Sequence, residues 1–381
     1  MQRVASGWLV YRLTNDPLML GFVDFASQIP ILLLSPFTGV LADRRNKQRI
    51  MMVTQTLALI QAIILAVLVL SDSVKIWHII ILNMCLGIIN SFDMPTRQAF
   101  TVQMIEKKED LGNAIALNSS IIHIGRLIGP PIAGILIYAF NEGVCFAVNA
   151  LSYVAILISL MLMNVPFVPS KKERPPVIHE LIEGFKYTKA TLPIRNSLLF
   201  LILINLFAIP YIALMPVFVR DVFNMGPKTL GFLTGSIGVG ALCGVVVMAT
   251  RHSARGLDAL IPKAAMLFGS GLVLLSLATT VYMALPALAM CGMGMMMFVN
   301  ANNTLIQTLV HDDKRGRVMS LYTMAFMGMA PFGSLMAGWL AKYYTASMTV
   351  YVGGVVCFIG AFIYRFAMKQ YTIDIPEHEH V

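Results

Sequence analysis

Charge is what this sequence has least of: Asp, Glu, Lys and Arg together make up 12% of its 381 residues, where a soluble domain carries about 25%. So sparse a supply cannot cover a water-facing surface, which excludes a soluble globular protein for most of the chain. The sequence also lacks a Walker loop, an HExxH, a GxSxG and a pair of catalytic carboxylates. ATP-driven work and the common hydrolytic chemistries therefore have no residues to carry them, and neither a cofactor nor a resident metal is expected. The five cysteines (Cys85, Cys145, Cys243, Cys291, Cys357) stand singly in apolar segments, without a CxxC pair or neighbouring histidines; they read as helix-packing residues. His378-Glu379-His380 reads as a solvated tail rather than a metal site.

What the sequence has instead is apolar length, with 57% hydrophobic residues. Runs long enough to cross a hydrocarbon core of about 30 Å fall near 18–42, 50–70, 76–92, 112–139, 144–164, 196–218, 229–250, 259–281, 284–309, 318–341 and 347–368. Ahead of them Met1 to Leu13, with Trp8-Leu9-Val10-Tyr11, is apolar but reaches only ~20 Å at ~1.5 Å per residue. It reads as the end of a twelfth helix, so the first helix is expected to be truncated at its start. No cleavage site of small residues follows it, which argues against a signal peptide.

Lys and Arg are distributed by loop. Alternate loops (Asp43–Arg49, Arg97–Lys108, Lys171–Arg195, Arg251–Lys263, Lys314–Arg317 and the tail from Arg365) hold 21 of the 28, and the opposite loops hold Arg12, Lys75, Arg220, Lys228 and Lys342. The positive-inside rule puts the first set and the C-terminus in the cytoplasm. The net charge of +9 thus follows topology, and no nucleic-acid partner is expected.

The chain divides near its middle. A Pro-rich stretch and a short amphipathic helix bearing Leu181, Ile182 and Phe185 make 165–195 a cytoplasmic linker lying along the membrane surface. Residues 1–164 are expected to form one helical bundle, 196–370 a second, and 371–381 a tail. The halves echo each other: Gly129-Pro130-Pro131-Ile132-Ala133-Gly134 and Gly333-Ser334-Leu335-Met336-Ala337-Gly338 both read G-x-x-x-A-G, each about 30 residues after a span-end glutamine, Gln98 or Gln307. Internal repeats of this kind build many secondary transporters.

The most specific local signal is Gly39-Val40-Leu41-Ala42-Asp43-Arg44-Arg45-Asn46-Lys47-Gln48-Arg49. It resembles the G-x-L-A-D-R-x-x-R/K loop signature of the major facilitator superfamily. Gly125-Arg126-Leu127-Ile128-Gly129-Pro130-Pro131-Ile132-Ala133-Gly134 resembles that superfamily's helix-five antiporter motif. Trp8 to Thr14, Pro95 to Phe100, Asn303 to Gln307 and Arg315 to Tyr322 are similar, in order, to its branch of enterobactin-exporter-like and multidrug efflux proteins. The resemblance implies an all-α integral membrane fold of two pseudo-repeated six-helix bundles. It implies a gate in which Gly39, Asp43, Arg44, Arg45 and Lys47 face the start of the eleventh helix near Arg317, and a helix-five element of Gly125, Gly129, Pro130 and Gly134. The second-half counterpart of the gate loop, Thr250 to Arg255, lacks the Asp.

Ionisable residues at membrane depth are costly and mark sites. Here they are Arg3, Asp24, His123 and Arg126. Asp24 fits two readings: it takes up and releases a coupling proton, with Arg126 or Arg3 setting its affinity, or it is a permanent partner that neutralises an arginine. Asp93 and Arg97 are expected to pair at the cytoplasmic end near the gate loop. Asn300, Asn303, Gln307 and Met296 are candidates for a cavity wall. The expectation is a monomeric secondary transporter of the bacterial inner membrane, driven by the proton gradient and exporting a small amphipathic molecule, siderophore or drug-like, by alternating access. A facilitator that flips lysophospholipids is the alternative, and a membrane enzyme or scaffold lies further off.

Overall fold

The computed structural model describes residues 1–105, 110–163, 165, 177–251, 256–311 and 314–369; within them, side chains at 35, 36, 39–44, 111, 112, 115, 116 and 177–181 lie outside the description. The described chain is helical almost throughout: α1 Gln2–Thr14, α2 Pro17–Arg44, α3 Lys47–Leu70, α4 Ile76–Gln103, α5 Leu111–Ala139, α6 Glu142–Leu162, α7 Val177–Ala190, α8 Leu192–Phe207, a short α9 Met215–Val217, α10 Pro227–Ala249, α11 Leu257–Leu277, α12 Val281–Leu309, α13 Arg315–Gly328, α14 Ala330–Tyr343 and α15 Ala346–Met368. Among the described residues, eleven helical stretches are long and apolar enough to cross a membrane. They coincide with the eleven expected runs, and α1 precedes them.

Local chemistry sets the boundaries. α1 ends where Asn15 turns left-handed (φ 50°) and its N–H bonds the Tyr11 carbonyl, and Pro17 opens α2. Asn46 caps α3 by accepting from the Arg49 N–H, Asn141 caps α6 through the Val144 N–H, and Thr345 caps α15 through the Met348 N–H.

Two expected spans are interrupted. The run 196–218 is helical from Leu192, tightens to a 3-10 segment over Ile209–Leu214, and widens to a π turn over Phe218–Val222. Pro210 and Pro216 withhold two backbone donors here, which breaks the ladder, while the Phe223 N–H reaches back to the Phe218 carbonyl at 2.9 Å. The run 318–341 divides at Met329, just ahead of Pro331, into α13 and α14. In the opposite sense, α4 runs on past the expected end of its span, through Pro95, to Gln103.

The helices gather into two compact units. The first comprises Met1–Glu173 with Ala213–Gly235, the second Arg174–Ile212 with Ser236–Val381. In the first, α2 packs on α4, and α3 lies between α4 and α6. Gly87 of α4 meets the Ser27 carbonyl of α2 so closely that a Cβ there has no room. In membranes such small-residue contacts replace the hydrophobic drive between helices, since lipid is as apolar as leucine.

In the second unit α11 contacts both α12 and α15. Cys291 fills the space beside Gly271, and Cys357 that beside Gly269. Both thiols are buried, as is Cys145 in the first unit, whereas Cys243 is exposed and Cys85 half-buried. Phe200 of α8 stacks on Tyr364 of α15 (ring centroids 5.2 Å apart) and meets Phe298 of α12 edge-on.

Candidate functional site

Asp24 lies one helical turn before Gln28 on α2, and both side chains meet there: Gln28 Nε2 donates to Asp24 Oδ2 at 2.6 Å. Its other oxygen, Oδ1, accepts from Arg3 Nη2 of α1 at 2.9 Å. The pair is asymmetric, with the Arg3 side chain 68% exposed and that of Asp24 14%. Of the two arginines expected beside Asp24, the structure brings in Arg3. Arg126 is exposed on α5, one turn from the half-buried His123, and has no ion-pair partner among the described residues.

The helix that carries Arg3 is held by polar contacts along its length. Gln2 donates to Gln61 Oε1 of α3 (2.8 Å) and accepts from Asn149 of α6 (2.7 Å), while Ser6 accepts from Asn83 of α4 (2.9 Å). At its far end Arg12 forks onto Glu142 of α6, Nε to Oε1 at 2.8 Å and Nη2 to Oε2 at 3.2 Å. The Tyr11 hydroxyl donates to Asp221, and Arg220 Nη1 donates to the Tyr11 carbonyl at 3.3 Å. The π turn presents these neighbouring charges together to one tyrosine; turns of this kind recur at functional positions. Gln2, Gln61, Asn83, Asn149, Glu142 and Asp221 were all missed by sequence reasoning. Their signal is present as amides and carboxylates inside or bordering apolar runs, but the partners lie far apart in the chain.

The helix-five element divides by position. Gly125 faces open space, and Gly129 stands 3.9 Å from the Met1 amine, measured from the place of a Cβ. Gly134 and the Pro130-Pro131 pair form a close crossing with the start of α10: a Cβ on Gly134 would lie 2.9 Å from Gly231 Cα, one on Gly231 2.6 Å from the Pro130 carbonyl oxygen, and one on Gly235 2.7 Å from Pro131 Cγ. Gly231 and Gly235 form a G-x-x-x-G, the small-residue spacing that could have located this crossing. Gly333, in the matching second-half motif, meets α8 instead, close to the Asn205 and Leu206 carbonyls.

Asp93 is buried and its partners exceed the expected one. Arg97 forks onto Oδ2 through Nε (3.1 Å) and Nη2 (2.8 Å), while Oδ1 accepts from Thr54 Oγ1 (3.0 Å) and Gln55 Nε2 (2.6 Å) of α3. Four donors on one carboxylate satisfy its lone pairs, which offsets the cost of burying it.

Of the gate residues, the side chains of Gly39, Asp43 and Arg44 lie outside the described residues; Arg45 is exposed and Lys47 half-buried at the start of α3. Arg317 meets Glu183 of α7, with Lys314 at 4.0 Å from the same carboxylate. A Cβ on Gly184 would touch the Arg317 carbonyl at 3.0 Å, so the linker helix seats directly on α13. The tail with His378 to His380 and the loop 252–255 lie outside the described residues.

Of the expected cavity wall, Asn300 and Asn303 are half-buried and Gln307, exposed, donates to Asn303 Oδ1 at 3.1 Å. Met296 lies at the α10 crossing, its Cβ 3.2 Å from the place of a Cβ on Gly244. Asn302, another polar residue within the spans, is fully buried and donates to the Ser197 carbonyl at 3.1 Å.

Residues 1–380 match the family model described as transmembrane secretion effector, MFS_3. The chain is 26% identical to the staphyloferrin A transporter of Staphylococcus aureus over 99% of its length and 94% of that protein. It is 22% identical to macrolide efflux protein A of Streptococcus pyogenes (86% and 82% covered) and 26% identical to the enterobactin exporter EntS of Shigella flexneri (81% and 72%). Among solved structures, the nucleoside transporter NupG superposes with a TM-score of 0.78 at 12% identity over 98% of this chain and 95% of that one. A bacterial homologue of the lysosomal transporter Spinster superposes at 0.72, with 12% identity and 99% and 96% covered. With the family model matched over residues 1–380 and the helical fold shared, the chain belongs to the transmembrane secretion effector family of the major facilitator superfamily.

Proposed function

We propose that this multi-pass transporter exports a small amphipathic molecule, a siderophore or a drug-like compound, from the cytoplasm in exchange for protons, by alternating access. The observation that carries the coupling is Asp24, a carboxylate within a membrane-crossing helix whose contacts include the exposed Arg3 guanidinium and the Gln28 amide. Protonation removes the charge that holds Arg3 and leaves the Gln28 contact as a neutral hydrogen bond. That frees one attachment of α1 while its other polar contacts persist. One proton entering down a gradient of one pH unit supplies about 1.4 kcal/mol, a tenfold concentration ratio for an uncharged cargo, and a potential of 100 mV adds about 2.3 kcal/mol. The substrate class is supported by the relatives, which are named for a siderophore and for macrolides. The distribution of Lys and Arg supports a C-terminus in the cytoplasm and a place in the bacterial inner membrane, and the protein is proposed to act as a monomer.

The test is flux in proteoliposomes, with substrate first found by thermal shift against siderophores, lysophospholipids and macrolides. Transport should follow an imposed pH gradient and stop when it is collapsed. Gradient-independent flux at the same rate would refute proton coupling, and stabilisation by lysophospholipid alone would replace the substrate class.

A further inference from the structure

In the first unit a cavity of about 320 Å³ opens between α3, α4, α5 and α6. Its lining is mainly apolar, with Phe100, Met104, Ile156 and Leu160 among the walls, but one cation, Arg97, lies in it together with Thr101, Asn118 and Ser159. Arg97 donates to Asp93 through Nε and Nη2. A guanidinium carries five donors on two usable edges, so the edge that includes Nη1 is left for a second acceptor. Asp93 is itself saturated by Thr54 and Gln55, so a new anion on Arg97 does not strip the buried carboxylate of its other partners.

One side of the rim is tied down by an amide. Gln48, at the start of α3, donates to the carbonyls of Leu160 (2.6 Å) and Met163 (2.7 Å), both lining residues. The outer flank is greasy: Met161, Leu162 and Val102 are exposed on the same helices. A free phosphate would find one charge and a wall of hydrocarbon, whereas a molecule with a phosphate head and an acyl tail matches both. Basic pockets between helices at the cytoplasmic side suit anionic lipid headgroups.

We infer that this cavity binds an anionic phospholipid from the leaflet on the side of the basic loops, with its phosphate on the free edge of Arg97 and its glycerol near Thr101, Asn118 and Ser159. The volume admits a headgroup, glycerol and the first acyl carbons, and the remaining chain lies along α6 in the bilayer. The site is independent of the exported substrate.

The full-length protein in detergent can be titrated with phosphatidylglycerol, phosphatidylcholine and inorganic phosphate, reading bound lipid by native mass spectrometry and stability by thermal shift. Phosphatidylglycerol should bind at least tenfold more tightly than phosphatidylcholine, and inorganic phosphate should neither displace it nor stabilise the protein. Ala155→Trp fills the mouth while leaving the Asp93–Arg97 pair untouched; it should lose at least tenfold in phosphatidylglycerol affinity while the lipid-free melting temperature stays within a few degrees. Arg97→Lys keeps the charge but not the fork, and should weaken binding several-fold. Equal binding of the two lipids, displacement by inorganic phosphate, or unaltered affinity in Ala155→Trp would each overturn the site. Because the readout is lipid binding, failure of the transport reading leaves this result unaffected.

Discussion

Arg3 Nη2 stands 2.9 Å from Asp24 Oδ1, and Gln28 holds the other oxygen of that carboxylate. Asp24→Asn mimics the protonated side chain permanently. Uphill, gradient-driven transport should fall to background, while substrate exchange without a gradient stays within about threefold and membrane insertion is normal. Arg3→Gln should leave exchange intact and lower uphill transport, since the attachment of α1 that the proton is proposed to release is already gone. Wild-type uphill rates in Asp24→Asn would show the pair to be purely structural.

The Gly134–Gly231 crossing predicts a sharp contrast along one helix. Gly134→Leu forces a side chain into backbone at under 3 Å and should cost about 1–3 kcal/mol from overpacking, read as a lowered melting temperature in detergent. Gly125→Leu, where nothing lies within 4 Å, should melt as the wild type does. Equal effects at both positions would mean that α5 and α10 do not cross as described.

Arg12 forks onto the buried Glu142, but the arginine is half exposed and solvent screens it. A double-mutant cycle with Arg12→Ala and Glu142→Ala should return a coupling of about 1 kcal/mol or less. Glu142→Ala alone should cost less than a buried-charge deletion would, because the orphaned guanidinium can turn to water.

Glu183 couples the linker helix to α13 through Arg317 and Lys314. Glu183→Arg should loosen α7 and raise the rate of proteolysis within 177–190 several-fold. The swap Glu183→Arg with Arg317→Glu should restore most of the protection. No restoration would assign the seating to the Gly184 contact alone.

Hydropathy made the eleven spans legible because burial in lipid is a property of one stretch of chain. The run 229–250 became Pro227–Ala249 and 347–368 became Ala346–Met368, the first opened by its proline and the second by the Thr345 cap. The interruptions at 209–222 and 329 escaped because mean apolarity does not register which backbone donors are absent, although Pro210, Pro216 and Pro331 were there to be counted. At the site, the cost of a charge in the membrane singled out Asp24 and Arg3. It could not choose between Arg3 and Arg126, because helix adjacency is not written in any one helix. The polar seat of α1 was invisible for the same reason: Gln2, Gln61 and Asn149 become meaningful only when three distant segments meet.

Residues 213–235 follow the linker in sequence but pack with the first unit, bringing Asp221 to Tyr11 and Gly231 to Gly134. A gene cut at the linker therefore does not cut the protein at its structural seam. A fragment ending at Glu173 should emerge with an unfilled groove along α5 and an orphaned tyrosine on α1, prone to self-association. A fragment extended by a tethered copy of 213–235 should behave as the better-folded half.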